Sequence, residues 1–150
     1  MTITELTTER LLLRGWRDTL ANAGIPAHDA PRGDWSPSSG FRIGRDLLSH
    51  GAPTAVFCAN DQMALGLLHA ADAAGLRVPG DLSIVGFDDI PEAAHFTPPL
   101  TTMNQDFIAL GRDAMTAVLS ELHDAASATS VDATVPRLVE RASTAGPRRP

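Results

Sequence analysis

Apolar residues recur along this chain in two alternating rhythms, and the alternation predicts its architecture. Leu12, Leu13, Trp16 and Leu20 fall at helical spacing, and Gly24 offers a stop, so a helix is expected over about residues 5–23. IPAHDA is expected to form a short strand before the turn RGDWSP. Ser36 and Pro37 make a helix start, with serine capping and proline in the first turn. Phe41, Gly44, Leu47 and Leu48 would face inward, and Gly51 would end that helix. TAVFCA (54–59) reads as a compact apolar strand, and Asp61 as the cap of a helix closed by Gly75. LSIVGF (82–87) is a further strand, and LTTMNQ (100–105) a crossing segment. Phe107, Leu110, Ala114, Val118 and Leu122 mark another amphipathic helix. HDAASATSVDAT (123–134) reads as a linker, VPRLVERAS as a final strand and GPRRP as a tail.

Strands alternating with helices of this length imply an α/β fold, a Rossmann-like parallel sheet flanked by helices. The strands are almost wholly apolar, as expected where both faces of a sheet are covered. A length of 150 residues suits one domain, and 43% apolar content suffices for a core. The net charge of −6 argues against a surface that wraps nucleic acid. A single cysteine, Cys58, excludes an internal disulfide and any cysteine-based metal cluster. The opening MTITELTTERLLLRGW has no basic-then-apolar leader, and no stretch approaches 18 apolar residues. A soluble cytoplasmic protein without cofactor is the expectation.

In open α/β sheets, ligands bind beyond the carboxyl ends of the strands. Trp35, Asn60 and Asp88 follow three successive expected strands, so parallel neighbours would bring them to one edge. That trio suits a sugar: a carboxylate accepts hydroxyl hydrogens, an amide donates and accepts, and an indole covers the C–H face. Each has a plainer reading. Asn60 and Asp61 can simply cap a helix, Asp88 and Asp89 can solvate a loop, and Trp35 can be a core aromatic. The histidines at 28, 50, 69, 95 and 123 show no metal-ligand spacing. From the residues alone, a polar small-molecule site is as far as the chain reads.

The blocks ANDQMALG, VGFDD and PPLTT, in this order and flanked by RGWRDTL and GDWSPSSGF, resemble the LacI/GalR family of bacterial transcription regulators. The similarity runs from about Arg10 to Pro147 and favours the lac repressor-like branch. It implies one lobe of a periplasmic-binding-protein-like type I fold, binding a sugar or related metabolite. It also implies ligand roles for Trp35, Asn60, Asp88, Gln105 and Phe107, with Asp89 holding the loop. Leu65 and Phe96 would lie at a dimer interface, giving a homodimer or a dimer with a full-length relative. Leu12 stands where the family carries an effector-contacting arginine; losing it should cost roughly 1.5–3 kcal/mol of binding for the same effector.

The resemblance further implies that the chain begins where the family's second lobe begins, without a helix-turn-helix. Residues 1–106 would then form the effector lobe. Residues 107–135 would be a crossover helix and linker belonging to the first lobe, and 136–150 a returning strand and tail. Two other functions compete: a stand-alone carbohydrate-binding module, and an enzyme with Asp88 as general base. The second lacks an evident partner group, so the chain is read as a non-enzyme.

Overall fold

Pro37 locks the first turn of a helix and Ser36 caps it, its hydroxyl oxygen accepting the Ser39 N–H at 3.1 Å. This helix, α1, spans Pro37–Ser49. The chain then runs through β1 (Ala55–Phe57), α2 (Asp61–Ala73) and β2 (Ser83–Asp88). A 3-10 turn at Pro91–His95 leads to β3 (Thr101–Asn104), α3 (Phe107–His123) and β4 (Arg137–Val139). The computed structural model describes residues 18–24, 31–51, 53–123 and 135–146.

The four strands form one sheet in the order β1-β2-β3-β4. β1 and β3 flank β2 in parallel, and β4 adds to β3 antiparallel. α2 lies on β2, and buried Leu67, Leu68, Ala64 and Ala71 meet Leu82, Ile84 and Leu100 in the core. The expected α/β architecture is thus present, with a parallel-dominated sheet and flanking helices.

Several expectations need correction or restriction. LTTMNQ is a strand rather than a crossing: the β-branched Thr101 and Thr102 are buried and pair with Val85 and Gly86. The helix start after β1 is capped by Asn60, whose Oδ1 accepts the Met63 N–H at 2.9 Å, and not by Asp61. Of the helix expected over 5–23, residues 18–22 are helical and the rest lie outside the described residues. The IPAHDA strand and all but the first residue of the 123–134 linker also lie outside them.

α1 packs along α2 more extensively than any other described pair of elements. The approach is close because Gly66 presents no side chain: a Cβ there would overlap the Pro37 carbonyl oxygen and the Phe41 nitrogen. Both are main-chain atoms of a helix and cannot swing aside. Gly66→Ala therefore sets a helix-propensity gain of about 1 kcal/mol against overpacking of about 1–3 kcal/mol. We expect net destabilisation, read as a lower urea midpoint at unchanged slope. A midpoint equal to or above that of the parent would contradict the backbone contact.

Candidate functional site

The register of the sheet decides which residues share an edge. Phe57 lies opposite Val85, so the same offset carries Asn60, just past β1, to the level of Asp88 at the end of β2. Asp88 in turn pairs with Asn104, and Gln105 follows it. Three parallel strands thus deliver Asn60, Asp88 and Gln105 to one carboxyl-end rim. Trp35 joins them from the loop before α1, where its carbonyl accepts the Asn60 Nδ2 hydrogen at 3.0 Å. Phe107 opens α3 two residues after Gln105, and the residue is 54% exposed.

Within the rim the polar groups are unequally committed. Asn60 is only 6% exposed. Its amide donates to the Trp35 carbonyl and, at 3.1 Å, to Gln62 Oε1, while its oxygen caps α2. Both amide hydrogens are used, leaving one oxygen lone pair. Asp88 is freer: one carboxylate oxygen accepts the Gln105 amide at 3.2 Å, and the residue is half-buried. Asp89 is fully engaged, accepting Arg141 Nη2 at 2.6 Å on one oxygen and Asn104 Nδ2 at 2.9 Å on the other. The two neighbouring acids therefore have different partners, and Asp88 is the one with capacity to spare.

Non-glycine residues with positive φ among the described residues are Trp35 (69°), Asp88 (113°) and Asp89 (55°), and all sit at this rim. For a bulky residue such as Trp35 this region costs on the order of 1–3 kcal/mol. An Asx turn holds it there: Asp34 Oδ1 accepts the Ser36 N–H at 3.0 Å, with Trp35 in the middle. The result is a tryptophan residue 47% exposed beside the strand ends. Hydrogen bonds from the Ser36 hydroxyl, from Ser39 and from the Ser36 backbone pull the Asp34 carboxyl down to about 2, from 3.8.

Asp88 behaves oppositely. Burial raises its pKa, the Gln105 hydrogen bond opposes this, and the charge of Asp61 adds to the rise. Asp61 is fully buried and likewise raised by burial, with the Thr102 hydroxyl and the Ile90 N–H opposing. Cys58, buried in the core, is pushed up to about 12 by burial and by Asp61, and is chemically quiet. Among the described residues no three His, Cys, Asp or Glu side chains cluster to hold a metal ion.

The two remaining expected positions lie off the rim. Leu65 is 39% exposed on α2. Phe96 follows the 3-10 turn and packs half-buried against the core. Sequence reasoning missed Arg141, which reaches back to Asp89 and to the Leu100 carbonyl at 2.8 Å. No local pattern marks it, because the partners are about forty or more residues away. Asp34 was also missed, although D-W-S carries an Asx-turn signature.

The family model for the periplasmic binding protein-like domain matches residues 1–144 of the chain. The chain belongs to this family. It is homologous to the effector-binding core domain of LacI-type transcriptional regulators. The transcriptional repressors PurR of Salmonella paratyphi B and Salmonella heidelberg are each 40% identical to it over 139 residues. Those residues are 91% of this periplasmic binding protein-like chain but 40% of the length of either repressor. Among solved structures, a lac repressor dimer bound to operator and the anti-inducer ONPF superposes with a TM-score of 0.84 at 39% identity. It is matched by 91% of this chain, over 48% of its own. A sugar-binding LacI-family regulator from Escherichia coli, complexed with phosphate, gives a TM-score of 0.83 at 28% identity. That match covers 97% of this chain and 53% of the regulator. These relatives are regulators rather than enzymes, which points away from catalysis.

The raised pKa of Asp88 gives a signed expectation. A carboxyl raised on folding contributes stability below its unfolded pKa near 3.8, and that contribution is lost as pH rises through the folded value. Asp88→Asn removes the ionisable group, and asparagine tolerates the positive φ. Its thermal midpoint should exceed the parent's at pH 7, with the gain shrinking as pH falls toward 3.8. A variant less stable than the parent at pH 7 would show that the carboxylate is well compensated there.

Proposed function

We propose that this chain is the effector-sensing and dimerising lobe of a LacI-type transcriptional regulator, with a sugar or related metabolite held at the rim. The observation that carries the reading is the convergence of Trp35, Asn60, Asp88 and Gln105 at the carboxyl ends of three parallel strands. Trp35 offers an exposed ring face to the C–H side of a pyranose. Asp88 accepts hydroxyl hydrogens, and Gln105, already turned toward Asp88, donates from its remaining N–H. Asn60 meets a ligand hydroxyl with its free lone pair, or with an N–H released from Gln62. Phe107 closes the far side. Neither cofactor nor catalytic group enters this reading.

The partners proposed with it are the small-molecule effector and a second protein copy, or a longer relative, docked over Leu65 and Phe96. Contact with DNA is left to other parts of such a regulator, in keeping with the charge of −6. The protein is taken as cytoplasmic; no helix among the described residues is long and apolar enough to cross a membrane. The domain reading assigns 1–106 to the effector lobe, 107–135 to a crossover toward another lobe, and 136–150 to the return. It is supported by α3, along which no described element packs extensively. Ile108 is 82% and Leu122 75% exposed there, with Phe107, Met115, Val118 and Leu119 exposed as well.

Two measurements test these proposals. A thermal-shift screen of pentoses, hexoses and ONPF should raise the melting temperature with at least one compound, and Asp88→Ala should abolish that rise. A rise that survives in Asp88→Ala would put the ligand elsewhere. Hydrogen exchange should find the amides of α3 less protected than those of Ser83–Asp88. Equal protection would sink the domain reading.

A further inference from the structure

Asp61 is a buried carboxylate for which the binding site, as described, has no use. It has no exposed surface, yet its partners are neutral donors. Oδ1 accepts the Thr102 hydroxyl at 2.6 Å and Oδ2 accepts the Ile90 N–H at 2.9 Å. Burying an acid this way is costly compared with an apolar side chain of similar size. Room has even been left for it: a Cβ on Gly86 would overlap Oδ1.

The location of the three tied points suggests what the carboxylate does. Asp61 directly follows Asn60 at the end of β1. Ile90 directly follows the left-handed pair Asp88–Asp89 at the end of β2. Thr102 lies on β3, three residues before Gln105. One side chain is therefore bonded to β3 and to the loop leaving β2, the two other segments that supply a rim group, and is covalently next to the third. Its link to Ile90 fixes the peptide that leaves the left-handed turn, where an unrestrained chain would relax.

We propose that Asp61 is a positioning residue of the rim, setting the mutual spacing of Asn60, Asp88 and Gln105 without touching the ligand. The proposal rests on the reading of that rim as the effector site. The simpler alternative role for Asp61 is as a negative charge at the start of α2, where it would favour the helix and nothing more.

Variants of the full chain separate the two. In Asp61→Asn the amide oxygen accepts the Ile90 N–H while Nδ2 donates to the Thr102 hydroxyl, so both links survive without the charge. Asp61→Ala cuts both, and Thr102→Val cuts only the link to β3. In 15N-labelled protein, Asp61→Ala should shift the side-chain amides of Asn60 and Gln105 and the backbone amides of Asp88 and Asp89 together. Losing a bond to a charged acceptor should also speed exchange of the Ile90 amide by about tenfold or more. Asp61→Asn should restore the parent spectrum at these positions. Thr102→Val should move Gln105 while Ile90 stays protected.

Folded Asp61→Ala whose shifts stop at Ile90 and Thr102 would overturn the proposal. So would Asp61→Asn behaving like Asp61→Ala, since charge alone would then be at work. If Asp61→Ala does not fold, the other two variants decide, and an unmoved Gln105 in Thr102→Val overturns it. Titration with ONPF adds a binding arm: Asp61→Ala should weaken binding about tenfold, and unchanged affinity would again overturn the proposal. Failure of the parent chain to bind ONPF would count against the effector reading alone, because the resonance shifts judge Asp61 without any ligand.

Discussion

A carboxylate cut off from water must be given donors by the protein, and the donors have to come to it. Around Asp61 that requirement draws in β3 through Thr102 and the loop after β2 through Ile90. It also dictates that β2 pass by with a glycine. α2 begins at this residue, so the helix that covers the sheet starts where the strand ends meet. The core beneath is ordinary aliphatic packing that many sequences could supply. The more demanding feature is the polar knot at the top of that core, and the rim groups hang from it.

Much of the fold was legible because its signals are local. Ser36–Pro37 starts α1, Gly75 adopts φ +71° to close α2, and the apolar runs at 54–59 and 82–87 contain β1 and most of β2. The carboxyl-end rule then brought Asn60 and Asp88 to one edge with no knowledge of contacts. The errors came where two local rules were equally satisfied. Asn60 and Asp61 are both good caps, and the choice between them was made by distant residues: Thr102 and Ile90 claim Asp61, and Gly86 leaves it space. LTTMNQ read as a crossing segment, yet Thr101 and Thr102 sit in an inner strand, where their hydroxyls find partners in the half-buried Thr144 and the buried Asp61.

At the rim, flexibility and constraint are divided between neighbours. Asp89 is pinned by Arg141 and Asn104, and Asp34 with Ser36 pins the turn under Trp35. Asp88 and the indole of Trp35 are left with open valence or open surface. Strained backbone therefore sits beside groups whose hydrogen-bonding or packing is incomplete, an arrangement that a bound molecule could complete. The same division explains why a pair of acids ends β2: one is structural, and the other is available.

The last stretch of chain has more influence than its position suggests. Ser143 is buried, its hydroxyl donating to the Ile84 carbonyl while accepting the Thr101 N–H, and Arg141 clasps Asp89. Arg141 and Ser143 thus act as a latch, stitching together the starts of two inner strands and gripping the turn that follows β2. Proteolytic clipping or a premature stop just upstream of residue 141 would leave the helices nearly complete but unfasten the upper edge of the sheet.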